Sequence, residues 1–235
     1  MKIVKYQAFC ALLLVCSCAH QAPVSPAAAP APAKAEAVRP KPERVNHWTT
    51  DWTPIFDGTS LKNWAITDFA GHGPVNVSSN QINLGMGDEL SGITWTNGTL
   101  PKTDYEITLE AMKVDGSDFF CGLTFPVAET SCSLILGGWG GAVVGLSSLD
   151  DNDASENETS RTMNFEKGHW YHVVVRVKPK KIEAWIDGKK MVDVSIVDRK
   201  VGLRAGPICL SAPLGLATYE TSAAYRDFKI RLIEN

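Results

Sequence analysis

"HWYHVVVRVKPKKIEAWIDGKKMVDV", His169 to Val194, is the stretch on which the fold turns. Side chains on a strand point alternately to opposite faces. On the first arm His169, Tyr171, Val173, Val175 and Val177 share one face, and Trp170, His172, Val174 and Arg176 share the other. "PKK" breaks this run, and a second run ends at Asp187-Gly188. An Asp-Gly pair suits the hairpin turns that need φ > 0. The segment therefore predicts three consecutive antiparallel strands.

The same period extends outward. In "DYEITLEAMKV" Tyr105, Ile107, Leu109 and Ala111 oppose Glu106, Thr108, Glu110 and Met112. "DFFCGLTF" and "CSLILGG" flank a turn at "PVAETS". The last strand, "AYRDFKIRLIE", is expected to put Arg226, Phe228, Ile230 and Leu232 on one face. No stretch has a long helical period, and "DGTSLKNW" holds one helical turn at most. Many short strands with frequent turns predict an all-β chain folded as a two-sheet antiparallel sandwich.

The chain has 235 residues, 44% of them hydrophobic, enough for one sizeable core. Its formal net charge of -3 comes without a basic stripe, which excludes nucleic acid as the expected partner. Beyond the N-terminus nothing approaches the ~20 apolar residues of a membrane-spanning helix.

The N-terminus reads as a targeting segment. Lys2 and Lys5 precede an apolar run from Ala8 to Val15, and "LVCSC" follows. Ser17 before Cys18 resembles a bacterial lipobox, with cleavage before Cys18 and lipid on its sulfur. The competing reading is an ordinary signal peptide with incidental cysteines. Three segments result: residues 1–18 as leader, 19–47 as a Pro/Ala-rich tether and 48–235 as the globular domain. The expected location is the bacterial cell envelope, with the membrane reached only through the N-terminal lipid. Export permits disulfides. Cys121 and Cys132, on consecutive strands around a short turn, are expected to pair, which leaves Cys209 without an assigned partner.

"WTPIFDGTSLKNWAI", Trp52 to Ile66, resembles the opening of the 3-keto-disaccharide hydrolase domain family. "YRDFKI", Tyr225 to Ile230, resembles its closing strand. The central hairpin resembles a segment that this family shares with concanavalin A-like and laminin-G-like jelly rolls. The resemblance spans about Trp52 to Leu232. It implies a jelly-roll sandwich whose concave sheet forms a groove, a carbohydrate ligand, and cleavage of glycosides oxidised at C3. The 3-keto group acidifies the C2 proton; a base removes it, an enolate forms and the anomeric oxygen leaves. The protein must supply a base, a cation or donors for the enolate oxygen, and a platform for the ring. A divalent metal is one possible source of the cation. The family's central strand commonly reads Asn-Ser-Gly with an Arg downstream. Here Gly122 is kept, while the Asn-Ser pair and the Arg are replaced by apolar residues.

"GGWGGAVVGLSSLDDNDASENETS", Gly137 to Ser160, holds most candidate site residues. Trp139 between glycines offers a flat face for a sugar on an open backbone. The alternative is a twisted strand with Trp139 in the core. Asp150, Asp153 and Glu156 are candidate ligands for Ca²⁺ or another divalent cation, because hard oxygens lie close together and repel without positive charge. Arg161 is the nearest cation in sequence, and Asn157 and Arg161 join Trp139 as candidate sugar-binding residues. A solvated loop is the competing reading. The candidate catalytic carboxylates are Asp118 and Glu110. Against them stand turn chemistry near Asp115-Gly116 and a solvated sheet face shared by Glu106 and Glu110. His169 and His172 fall on opposite strand faces and cannot ligate one metal together. Two functions remain open: an enzyme cleaving 3-keto-glycosides, and a non-catalytic carbohydrate-binding or surface interaction module.

Overall fold

The structure, a computed structural model, describes residues 48–234. The expectations for the leader, for Cys18 and for the tether up to residue 47 lie outside the described residues. In chain order the strands are β1 (Thr53–Pro54), β2 (Trp64–Ile66), β3 (Val75–Ser78), β4 (Gln81–Leu84) and β5 (Leu90–Trp95). Then follow β6 (Tyr105–Gly116), β7 (Cys121–Val127), β8 (Thr130–Gly137), β9 (Val143–Ser147) and β10 (Arg161–Thr162). The last are β11 (Trp170–Lys178), β12 (Lys181–Ile186), β13 (Lys189–Ser195), β14 (Gly215–Tyr219) and β15 (Thr221–Leu232).

Within the described residues these strands make two antiparallel sheets. One is eight-stranded, ordered β13-β12-β11-β6-β15-β4-β3 with β1 paired to β15; the other is seven-stranded, ordered β10-β9-β8-β7-β14-β5-β2. The His169–Val194 stretch forms β11, β12 and β13 as expected, and Asp187 and Gly188 both take positive φ, 49° and 75°. The apolar face of each period-two run is the inner one. Ile107, Leu109, Val173, Val175, Leu123, Phe125, Leu134 and Leu136 are all 0% exposed. Two tyrosines of the eight-stranded sheet tie the layers together across this core. The Tyr105 hydroxyl donates to the Pro126 carbonyl and the Tyr225 hydroxyl to the Phe120 carbonyl, both at 2.5 Å. Each buried O–H is thereby satisfied, and the sheets are held in one relative register.

The two end motifs meet in space. Ile55 N–H donates to the Phe228 carbonyl at 2.9 Å. Trp64 stacks on Phe228 with ring centroids 5.3 Å apart, and its indole N–H donates to the Ile55 carbonyl. Asp57 closes the turn between them. It accepts the N–H groups of Thr59 and Ser60 and the Ser60 hydroxyl. The Thr59 N–H bond first, then those of Ser60, hold the Asp57 carboxyl down to about 2.

Two expectations are corrected. Arg226 does not share a face with Phe228. Asp227 takes φ 51° and the pairing with β6 shifts between Arg226 and Lys229, a bulge that turns Arg226 outward while Tyr225 and Phe228 both point into the core. Cys121 and Cys132 do not form a disulfide. In the β7–β8 ladder Cys121 lies opposite Leu136 and Cys132 opposite Phe125, so the thiols occupy different rungs. Both are free and buried, and burial pushes both thiols up to about 12. Cys209 is free and exposed.

Candidate functional site: a groove on the seven-stranded sheet

The outer face of the seven-stranded sheet carries small side chains. On β7 and β8 these are Gly122, Thr124 and Ser133, and on β9 Gly145 and Ser147, with the larger Ile135 of β8 between Gly122 and Gly145. Loops fold down onto this face. A Cβ at Gly122 would lie 3.0 Å from the Phe119 ring, and one at Gly145 would lie 3.0–3.1 Å from Ala154. Glycine at these two places makes room for the protein's own loops. A second, small apolar cluster results, in which Phe69, Leu90 and Ala217 pack with Phe119, Ile208 and Tyr219.

Between the loops an open cavity of about 410 Å³ remains. Its aromatic lining is Trp139 together with Phe119 and Tyr219, the last two with ring centroids 6.0 Å apart. Ile208 and Pro207, from a 3-10 turn at Pro207–Ser211, close one end. Ser133 and Ser147 lie on the floor, and Asp118, Glu89 and Arg204 supply charge.

Trp139 is 41% exposed and lines this cavity, which favours the groove reading over the core reading. The turn Gly138–Gly141 joins β8 to β9 in left-handed conformations: Trp139 has φ 49°, Gly140 φ 86° and Gly141 φ 104°. An L side chain at Gly141 would also meet the Ser117 carbonyl at 2.9 Å. The glycines thus let the chain reverse tightly, with the indole projecting outward.

The two candidate catalytic carboxylates are separated. Asp118 lines the cavity and is already engaged: Oδ1 accepts the Phe119 N–H at 2.7 Å and Oδ2 the Gly140 N–H at 2.9 Å. Glu110 belongs to β6 of the other sheet, where Arg226 pairs with it at 2.5 Å and also lies over the Trp170 ring. Glu110 is therefore part of an outer charge ladder and does not reach the groove.

The other candidates hold the acidic loop together. Asn157 is buried; its amide donates to the carbonyls of Leu146, Asn152 and Asp153, and its oxygen accepts from Thr159. With that many protein partners it is a loop brace and has no capacity left for a sugar. Arg161 is exposed and donates to the Glu158 and Ser160 carbonyls, away from the cavity lining.

Positive charge for the loop arrives from far downstream. Arg199 pairs with Asp150 at 2.5 Å and with Glu158, and Lys200 pairs with Asp151 at 2.7 Å. Arg204 pairs with Asp153 at 3.2 Å. A backbone N–H from Lys200, then Arg199, holds the Asp150 carboxyl below its ordinary value; Arg199 does the same for Glu158. Asp150 and Asp153 are thus directed at guanidinium groups, and Glu156 is exposed. Among the described residues no group of three or more His, Cys, Asp or Glu converges as metal ligands do. In this arrangement Asp150, Asp151, Asp153 and Glu158 are engaged by side-chain cations. Its visible effect is on the groove: Asp153 takes the Ser147 hydroxyl at 3.0 Å on one oxygen and Arg204 on the other, which brings Arg204 to the cavity rim.

Sequence reasoning missed Phe119, Arg204, Ile208 and Tyr219. For Arg204 and Ile208 a signal was present. "RAGPICLSAP" is an apolar run without period two, interrupted by Gly-Pro and Ala-Pro, and residues 204–213 are mostly exposed. Neighbouring Glu220 holds the Tyr219 hydroxyl above its ordinary value.

The fold has known counterparts. It is similar to a carbohydrate-binding module, CBM66, from Bacillus subtilis, with a TM-score of 0.50 and 11% identity over 72% of this chain and 95% of that one. It is also similar to the Crh5 transglycosylase in its apo form, with a TM-score of 0.51 and 9% identity over 80% and 87% of the two chains. At such identities the likeness is one of fold. No curated protein matches the chain. The model of the 3-keto-alpha-glucoside-1,2-lyase-like domain matches residues 51–231, nearly all of the described sandwich, and the chain belongs to that family.

Proposed function

We propose that the domain recognises a sugar ring in the slot between Trp139 and the Phe119–Tyr219 pair. Membership of the family gives the domain a carbohydrate-related role. One observation carries the more specific reading: a tryptophan 41% exposed, on a left-handed turn, lining with two further aromatics a cavity of about 410 Å³. Burial of so large an apolar ring would stabilise the fold, so its exposure in a groove suits stacking on a pyranose. Ser133, Ser147 and Tyr219 add hydroxyls for the ring's own. Trp139→Ala is expected to weaken sugar binding by about 1–2 kcal/mol with little loss of fold stability. Calorimetric titration with methyl α-glucoside and methyl 3-keto-α-glucoside checks this. Unchanged affinity for both sugars in the variant would remove the slot from consideration.

A second reading, cleavage of 3-keto-glycosides, is favoured by a carboxylate and a guanidinium in the same cavity, Asp118 and Arg204. In that chemistry Asp118 takes the C2 proton, and the C–H electron pair forms the C2=C3 enolate. Its oxygen faces Arg204; collapse then forms C1=C2 and expels the anomeric oxygen. Against it stand the two backbone N–H bonds already made by Asp118. Incubation with a 3-keto-glucoside, with and without chelator, tests it through the absorbance of the conjugated enone and release of the aglycone. Binding without release leaves recognition as the function. The envelope location belongs to the same reading, since Ser17-Cys18 precedes a Pro/Ala-rich segment. Cys18→Ser is expected to move the protein from the membrane to the soluble fraction; equal membrane retention would end the lipid-anchor idea.

A further inference from the structure

We propose that Asp118 is the positioning residue of the groove: its one carboxylate ties the turn that carries Trp139 to the turn that carries Phe119, and so sets the gap between the two aromatic walls. The proposal rests on the reading of that gap as a sugar slot and adds what holds it at its width.

The geometry is a three-way junction. Oδ2 accepts the Gly140 N–H at 2.9 Å, one residue past Trp139. Oδ1 accepts the Phe119 N–H at 2.7 Å. The backbone of Asp118 is itself anchored to the start of β15. Its N–H donates to the Thr221 hydroxyl, and that hydroxyl donates back to the Asp118 carbonyl, both at 3.1 Å, with Thr221 fully buried. The Tyr219 N–H donates to the Phe119 carbonyl at 3.0 Å, so Tyr219 and Phe119 move as one wall. The Trp139 turn has few other restraints on that side. A Cβ at Gly140 would find nothing within 4 Å; the turn's other backbone ties lie at its base, where the Ala142 N–H donates to the Gly138 carbonyl at 3.2 Å, Gly138 bridges Val143 and the Met163 N–H donates to the Ala142 carbonyl at 2.9 Å.

A buried amine lies under the same turn. Lys113 is 6% exposed, and its Nζ is 3.4 Å from the position of a Cβ on Gly141. Its burial lowers its affinity for the proton, and the Asp118 carboxylate partly offsets this. The carboxylate itself is held by two backbone N–H donors. A hydrogen bond to a charged acceptor is stronger than a neutral one, so this single side chain is suited to fixing a glycine-rich turn that would otherwise sample many conformations.

The test uses the domain labelled with 5-fluorotryptophan. The chain has seven tryptophans, and the Trp139 fluorine signal is identified by its loss in Trp139→Phe. In Asp118→Asn, which keeps the volume but only one acceptor oxygen, the Trp139 signal is expected to move or broaden while the other signals stay. Amide exchange at Gly140 or Phe119 should rise by at least about tenfold, the size expected for loss of a charge-assisted hydrogen bond. Asp118→Ala should do the same at both amides. If Asp118→Ala fails to fold, shown by collapse of all the signals, the Asn variant decides. An unmoved Trp139 signal with both amides still protected would overturn the proposal, and loss of turnover with that same result would assign Asp118 as the base. The sugar arm separates the two readings. A wild-type domain that binds neither methyl α-glucoside nor its 3-keto form, yet shows the Trp139 response, keeps the tie and discards the slot. If the sugars bind, Asp118→Asn and Trp139→Ala should each weaken binding by about tenfold, and the double variant by little more than either, because both changes remove the same wall.

Discussion

The outer faces of the two sheets obey the same period of two and end up opposite in character. On the eight-stranded sheet the outward positions are long and charged, and they satisfy one another. Glu106, its side chain 3% exposed, receives Arg176 on one oxygen at 2.6 Å and Arg231 on the other at 2.5 Å. Arg226 takes Glu110, and Glu183 takes Lys190 and Lys181. Cations also lie over three tryptophans: Arg231 over Trp52, Arg226 over Trp170, and Arg176 with Lys190 over Trp185. On the seven-stranded sheet most central outward positions are small, Gly122, Thr124, Ser133, Gly145 and Ser147, with Ile135 among them. They are too small to cover the sheet, so loops from residues 119, 139, 154 and 208 do so and leave a cavity between them. A self-satisfied face has little left to offer a ligand. A face of small side chains delegates its chemistry to loops, and functional residues collect there.

Three measurements sharpen or break this contrast. The largest effect is expected at Glu106. Its removal leaves two guanidinium groups without their shared acceptor, and Glu106→Ala should destabilise the domain by about 3 kcal/mol in denaturant unfolding. Glu110, whose ion pair is open to solvent, should give less than about 1 kcal/mol in the same substitution. Equal losses at both sites would show that the ladder is not graded by burial. Next comes Gly145→Val, expected to cost about 1–3 kcal/mol because the added side chain meets Ala154 and the Thr159 hydroxyl at 3.0–3.1 Å. A variant that melts at the wild-type temperature would mean that the 150–160 loop lifts off this face easily. The smallest effect is chemical and leaves stability alone. Cys209 should react quickly with a thiol reagent in the native domain, while Cys121 and Cys132 should react only on unfolding. Since burial raises both buried thiols to about 12, raising the pH from 7 to 9 should leave Cys121 and Cys132 unreactive in the native domain. Recovery of a Cys121–Cys132 disulfide would contradict the strand register.

The comparison also explains what was legible beforehand. The inner faces were readable because strand alternation is local: Tyr105 to Ala111 and Val173 to Val177 announce their buried side within a few residues. Trp139 was readable as a candidate because glycine on both sides of an indole is a local oddity. Glu110 was misassigned because a carboxylate in an alternating run looks the same whether an arginine covers it or a groove adjoins it. The acidic loop was read as lacking positive charge because only Arg161 is near it in sequence. Its real partner, Arg199, is 49 residues from Asp150 and 41 from Glu158. The face of Arg226 was lost to one extra residue at Asp227, which shifts the ladder without leaving a mark in the hydrophobic pattern.

By itself the sequence determined the class of fold, the strands of the central hairpin, the end motifs that meet at Phe228 and one aromatic of the groove. Each of these depends on short-range geometry: side-chain alternation, the positive φ of Asp187-Gly188, or the φ that glycine allows beside Trp139. Only the tertiary structure decided which outer face became a groove, that Asp118 bridges two turns, and that residues 199–204 meet the acidic loop. The physical reason is that pairing of charges and docking of loops depend on distance in space. In an antiparallel sandwich, residues dozens of positions apart become neighbours through a register that no local pattern encodes.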